Sequence, residues 1–276
     1  MTVTLSGFAD EISPDPETQL SVLAAESITH LELRSAWSVN VADFTGTQLA
    51  DFREVIEGAG VRVSAIGSPI GKIAISAPFG PELERMRRIA DIAAELGTTI
   101  VRVFSFYMPA GEPPERYRTQ VIDQMGALAR IAEERGVLLA HENEKEIYGD
   151  LPGRCADVIA SVASPALRAT FDPANYVQCG VRPFTDAYSL LRPYLVYLQV
   201  KDARAATGEV TPAGEGDGQL RETLLAMRDS GFAGFMSLEP HLDLAGRHGG
   251  FSGPDKFRRA VQALKSLLGE LSIGWQ

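Results

Sequence analysis

Residues 137–145 constrain the fold more than any other stretch. Four apolar residues, Val137, Leu138, Leu139 and Ala140, run straight into His141, Glu142, Asn143, Glu144 and Lys145. An apolar run buried on both faces that ends in charge is the pattern of a parallel strand reaching the carboxyl end of an α/β sheet, where function is carried. Three later runs end the same way: ATFDPANY carries Asp172, YLQVKDAR carries Gln199, Lys201 and Asp202, and FMSLEPHL carries Glu239 and His241. The pattern predicts four consecutive strands that each deliver one oxygen ligand to a shared metal.

A chain of 276 residues with 45% hydrophobic content suits one α/β barrel, a (β/α)8 TIM barrel of roughly 250 residues, as a single domain over 1–276. Apolar runs predict strands near 3–9, 28–34, 61–67, 99–105, 137–142, 167–172, 194–200 and 233–239. Segments of helical period alternate with them near 16–26, 47–59, 80–96, 114–135, 152–163, 183–192, 217–230 and 254–269. Pro16 and Pro114 suit first turns, and Gly60, Gly97, Gly136 and Gly231 sit where helices stop. A doubly wound sheet would need a glycine-rich turn after its first strand, and residues 6–11 read SGFADE. The net charge of -10 disfavours nucleic acid, which requires a basic face. No leader or membrane segment is legible, and two cysteines without CxxC spacing fit a reducing compartment, so the expected location is cytoplasmic.

Loops after the strands form a barrel's active face. Walking along the strand ends gives Asp10 and Glu11, Glu32 and Arg34, Ser68 and Lys72, then Ser105 and Tyr107. Alternation puts Glu142 and Glu144 on one side of their strand, with His141 and Asn143 on the other, and groups Tyr197, Gln199 and Lys201. Glu32 and Arg34 are expected to pair with each other, as are Lys201 and Asp202. Trp37, Phe106 and Tyr107 offer an apolar wall at that face. Of two glycine-rich segments, TPAGEGDG at 211–218 carries Glu215 and Asp217 and no base, and GSPIGK at 67–72 lacks the full phosphate-loop spacing and reads as a mobile loop. Both observations point to an unphosphorylated substrate.

With these strand ends the chain resembles the xylose-isomerase-like TIM-barrel sugar isomerases and epimerases, which include ketose 3-epimerases and inosose dehydratases. The motifs are HEN with Glu142, FDPAN with Asp172, QVKD with Gln199 and SLEP with Glu239. The resemblance implies that Glu142, Asp172, Gln199 and Glu239 bind one divalent ion. Two positions depart from the family: Asn175 stands where a substrate-binding His is common, and Gln199 where the third ligand is usually His. An all-oxygen set suits Mn²⁺ best, with Mg²⁺ or Co²⁺ as alternatives.

The implied activity is isomerisation or epimerisation of a sugar or keto-sugar, by proton abstraction next to a carbonyl through a metal-stabilised enediolate. Glu142 and Glu239 are the expected acid and base, with His241 and Lys201 as further catalytic candidates. Lys72, Glu144, Asn175 and Arg204 are the expected substrate contacts. Two alternatives stay open: a lyase acting by β-elimination on a 3-keto-glycoside or inosose, including a deglycosidase subunit with a small partner, and a non-catalytic sugar-binding barrel. Four histidines are too few for a trinuclear zinc nuclease. A homo-oligomer is expected, with Trp37, Phe79 and Phe106 offered to a neighbour.

Overall fold

The computed structural model describes every residue except 247 and 248; His248, for which the sequence suggests no role, lies outside the described residues. Eight parallel strands form the barrel: β1 Thr2–Gly7, β2 His30–Leu33, β3 Arg62–Ile66, β4 Ile100–Val103, β5 Leu138–Glu142, β6 Leu167–Phe171, β7 Leu195–Val200 and β8 Phe235–Leu238. Their hydrogen-bonded order is β1-β8-β7-β6-β5-β4-β3-β2. A parallel bridge between Phe8 and Glu32 brings β1 back to β2 and closes the ring. An added two-residue strand, Gly274–Trp275, pairs outside β1 at Thr2 and Val3.

Helices cover the barrel because each sequence repeats its apolar residues at helical spacing. In Arg118–Arg135 the buried set is Val121, Met125, Leu128, Ala129, Ile131 and Ala132, and the helix ends on Gly136 at φ 68°, a left-handed stop that glycine adopts without a side-chain clash. All eight strand expectations fall on observed strands. Three helical segments differ, and the first, expected over 114–135, opens as a 3-10 turn, Pro114–Tyr117, before Arg118–Arg135. The expected helix 183–192 starts as a π-helical turn, Pro183–Tyr188, before Ser189–Leu191. The helix expected from 217 begins only at Leu220, because the preceding residues wrap around Asp202. One short helix was not anticipated: Pro173–Gln178 starts directly after β6, with Asp172 accepting from the Asn175 N–H and Pro173 in the first turn.

The barrel interior is polar as well as apolar. Ser6 and Ser64 hydroxyls lie 2.6 Å apart and Ser64 meets the Tyr197 hydroxyl at 2.9 Å. Ser6, Ser237 and Gln199 are register neighbours across β1, β8 and β7. Two residues beyond Tyr197 along β7, Gln199 therefore points into the same interior, nearer the mouth.

Candidate active site

Chain geometry at the ends of β5 and β6 locks two carboxylates together. Asn143 donates from Nδ2 to the Asp172 carbonyl at 2.9 Å, while its Oδ1 accepts the Asp172 N–H at 2.9 Å. Asn175, on the short helix, donates from Nδ2 to Glu142 Oε1 at 3.1 Å and to the Asn143 carbonyl at 2.9 Å. Glu239 arrives from the end of β8. Glu142, Asp172 and Glu239 each bring a carboxylate oxygen within 4.8 Å of the others, and all three are buried.

Gln199, at the end of β7, leaves its amide oxygen without a partner among the described residues. Its Nε2 donates to Glu32 Oε1 and Oε2 at 3.2 and 3.1 Å. Three buried carboxylates and an orphaned amide oxygen fit a hard divalent cation. The groups already present also balance part of this charge. Lys201 Nζ lies 2.7 Å from Asp172 Oδ2 and 2.9 Å from Glu239 Oε2.

Two arginines reinforce the cluster. Arg34 contacts Asp10 through Nε at 2.7 Å and Glu239 through Nη1 at 2.9 Å. Arg102, a cation within the apolar strand β4, meets Glu142 at 3.2 Å. Sequence reasoning passed over Arg102, although a lone charge inside an apolar barrel strand was its available signal. Both guanidiniums lie over the Phe8 ring, at 4.5 and 5.0 Å from its centroid, a stacking that arginine's planar head favours.

Several pairings differ from expectation. Glu32 does not pair with Arg34; it accepts from Gln199, because Arg34 is drawn to Asp10 and Glu239. Lys201 does not pair with Asp202, since successive strand residues face opposite ways. Asp202 instead accepts the backbone N–H groups of Ala203, Gly214, Gly216 and Gly218 at 2.8, 3.0, 3.1 and 2.8 Å. The 211–218 loop thus encloses the chain's own carboxylate. Arg204 is half exposed, 3.9 Å from Glu209, and lines neither recess beside the cluster. Residues 67–72 are tied down: Ile70 O accepts from Phe104 N at 2.8 Å, Gly71 O from Phe106 N at 3.0 Å, and Gly71 N donates to Glu82 Oε1 at 2.7 Å. Gly71 is required there, with φ at 84° and the Phe104 carbonyl 2.0 Å from where a Cβ would stand.

The remaining candidates divide. Lys72 Nζ sits 3.4 Å from Glu144 Oε2, and both reach the mouth. His241 turns back despite φ 45°, placing Nε2 3.2 Å from Glu11 Oε1 and 3.4 Å from Glu239 Oε1. His141 packs behind β5 against Gly149, fully buried. Phe106 is also fully buried, against Phe79, and Trp37 packs on Phe44 and Phe52. Of the expected aromatic wall only Tyr107 lines the recess of about 330 Å³ that it shares with Glu144, Asn175, Lys201 and His241.

Burial and charge push the carboxylates apart in acidity. Burial, opposed by Arg102 and helped by Glu239 and Asp172, pushes Glu142 up to about 8. Burial likewise takes Asp172 to about 6 against the pull of Lys201. Burial also acts on Glu239, yet Lys201, His241 and Arg34 together hold it well below the usual carboxylate range. The Lys201 ammonium loses solvation by burial, but Asp172, Glu239 and Glu142 keep it charged, well above the ordinary lysine value.

Comparison with known proteins agrees with this architecture. A D-tagatose 3-epimerase-like protein superposes with a TM-score of 0.78 at 15% identity, covering 98% of each chain. A xylose isomerase-like TIM barrel protein from Mycobacterium smegmatis, in complex with magnesium, gives 0.66 at 20% identity over 97% of each chain. In sequence, the chain is 31% identical over 179 residues to the 2-epi-5-epi-valiolone 7-phosphate 2-epimerase of an Actinoplanes species, spanning 64% of this chain and 64% of that relative. Residues 23–267 match the family described as Xylose isomerase-like TIM barrel. With most of its length matched and a barrel of that architecture, the chain belongs to the xylose isomerase-like TIM-barrel family.

Proposed function

We propose that this protein is a divalent-metal-dependent isomerase or epimerase of a sugar, keto-sugar or cyclitol, working as one domain over residues 1–276. The observation that carries the reading is the convergence of Glu142, Asp172 and Glu239 from three strand ends. Glu142, Asp172, Glu239 and the Gln199 Oε1 would hold the ion, for which the all-oxygen set favours Mn²⁺. When bound, such an ion polarises a substrate carbonyl and lowers the cost of removing the neighbouring C–H proton. The epimerase name of the Actinoplanes relative and the magnesium of the mycobacterial protein support the reaction class and the ion class.

The protein's own groups divide the remaining work. Glu239, kept ionised by Lys201 and Arg34, serves as base, and Glu142, held by Asn175 and Arg102, serves as acid. Lys201 and His241 stand close enough to Glu239 to share its work, the charged Lys201 as a proton donor and His241 as a proton acceptor. Lys72, Glu144 and Asn175 contact the substrate. A lyase reading has one observation in its favour: the Lys201 ammonium lies among the carboxylates, where it can donate a proton to a departing oxygen.

The enclosed Asp202 supports the expectation that loop 211–218 holds no phosphate, and that support concerns this loop alone. The free thiols of Cys155 and Cys179 accord with a cytoplasmic location; among the described residues no helix is long and apolar enough to cross a membrane. We also propose a homo-oligomer, with half-exposed Trp37 and exposed Leu244 as apolar contacts in place of buried Phe106.

The test is isotope exchange. Protein loaded with Mn²⁺ and incubated with keto-sugars in D₂O should place deuterium next to the carbonyl, read by NMR. Exchange with return of an epimer or isomer supports the reading; loss of a β-substituent selects the lyase; no exchange on any keto-sugar, keto-glycoside or inosose overturns both.

A further inference from the structure

A second group of metal-capable side chains shares Glu239 with the first. Glu11, from the 3-10 turn Ala9–Glu11 after β1, and His241, from the loop after β8, each bring a ligand atom within 4.8 Å of the other and of a Glu239 oxygen. Glu239 has one oxygen for each group. Its Oε2 lies 2.9 Å from Lys201, which also holds Asp172, whereas its Oε1 lies 3.4 Å from His241 Nε2.

Two atoms of this group, Glu11 Oε1 and His241 Nε2, have no hydrogen-bond partner among the described residues, although they stand only 3.2 Å apart. Glu11 is fully buried and the His241 side chain is 9% exposed. Arg34 comes no nearer to Glu11 Oε1 than 4.0 Å, so a buried carboxylate oxygen faces the imidazole without a close counter-charge, an arrangement that is costly unless a cation completes it. The rest of both residues is fixed. Glu11 Oε2 accepts from the His241 N–H and from the Ser252 hydroxyl, both at 2.8 Å, which turns Oε1 toward the ring. The ring lies against Gly250, where a Cβ would overlap it, and the His241 backbone is held at φ 45°. Backbone strain of that kind persists only where the surroundings enforce it, and it collects at ligand sites.

We propose that Glu11 Oε1, His241 Nε2 and Glu239 Oε1 form a second cation site, for a borderline divalent ion such as Zn²⁺. One imidazole with two carboxylates suits that class better than the hard ions that an all-oxygen set favours. Ligand atoms about 2.0–2.2 Å from a tetrahedral Zn²⁺ stand roughly 3.4 Å from one another, and His241 Nε2 lies 3.2 and 3.4 Å from the two carboxylate oxygens. Arg34 Nη1 also contacts Glu239 Oε1, at 2.9 Å; a carboxylate oxygen has two lone-pair sites, so the guanidinium and the ion can share it. Three protein ligands leave a fourth position for water or substrate, and His241 lines the recess of about 330 Å³ from which either would come. The site goes beyond the isomerase reading and shares only Glu239 with it. An ion held there takes the imidazole lone pair, so occupancy withdraws His241 as a proton acceptor.

The test is ion stoichiometry, measured by elemental analysis after the intact, metal-stripped protein is dialysed against Zn²⁺ and passed through a desalting column. The wild type should hold two ions per chain, and Glu11→Gln, His241→Phe and Asp172→Asn one each, with circular dichroism showing that the variants fold. In Glu11→Gln the amide oxygen stays with the His241 N–H and the Ser252 hydroxyl, so an NH₂ group that cannot ligate faces the site. A readout on the wild type needs no variant: in nitrogen-15 NMR, titration with Zn²⁺ should shift the Nε2 resonance of His241. One ion in the wild type, retained by both Glu11→Gln and His241→Phe, overturns the second site and leaves the carboxylate cluster. One ion lost in those two variants and kept in Asp172→Asn upholds this site and removes the cluster as the ion's place. No bound ion, or no shift at His241 Nε2, overturns the proposal.

Discussion

Gln199 turns its amide nitrogen onto both carboxylate oxygens of Glu32, which leaves its own Oε1 without a hydrogen-bond partner among the described residues. Glu32 thereby sets which end of a chemically two-ended side chain is left without a partner. Supporting groups of this kind change metal affinity by about 10- to 100-fold. Glu32→Ala should therefore weaken Mn²⁺ binding by about tenfold or more, measured calorimetrically, while Gln199→His should keep the ion and shift preference toward softer metals. Undiminished affinity in Glu32→Ala would show that the amide needs no such orientation.

Changing Glu142 or Glu239 to Gln keeps an oxygen donor of similar size and removes the titrating group. The ion should remain, bound more weakly, while deuterium exchange falls by roughly 10²-fold or more. Removing the ion with a chelator should abolish exchange and restoring Mn²⁺ should recover it. If Glu239→Gln retains full exchange with metal bound, Glu239 is not the base and the neighbouring His241 takes that role.

Asp202 should matter for stability. Its two oxygens take four backbone donors, and Asn would set an NH₂ group against two of them. Asp202→Asn should cost about 2–4 kcal/mol, given the penalty for unpaired buried groups and the strength of hydrogen bonds to charge. Urea unfolding measures it; a change below about 0.5 kcal/mol would mean that the loop closes without the carboxylate.

His141 should make stability depend on pH. Burial lowers it from 6.5 to about 4, so below pH 6.5 the unfolded chain takes up a proton that the folded protein refuses. Stability is then lost as pH falls from 6.5 toward 4 and levels off below that, where both states are protonated. Between pH 7 and pH 5 the wild type should lose about 2 kcal/mol relative to His141→Leu. Parallel pH profiles for the two proteins would show that His141 carries no such cost.

Much of this protein was written in local order. Apolar runs alternating with helical periods determine eight βα units, and strand alternation places Glu142, Gln199 and Lys201 inward, because both signals depend on residues a few positions apart. The convergence of Glu142, Asp172 and Glu239 was legible for the same reason: each follows an apolar strand, and barrel closure brings strand ends together. Only the tertiary structure decided the partners. Arg34 and Glu32 sit two residues apart, yet their partners, Glu239 and Gln199, lie 205 and 167 residues away. Asp202 had a cation beside it in sequence and took glycine amides from a turn 12 to 16 residues on instead. Charge pairing in a buried mouth follows distance and desolvation, and those are properties of the closed barrel that no stretch of the chain contains by itself.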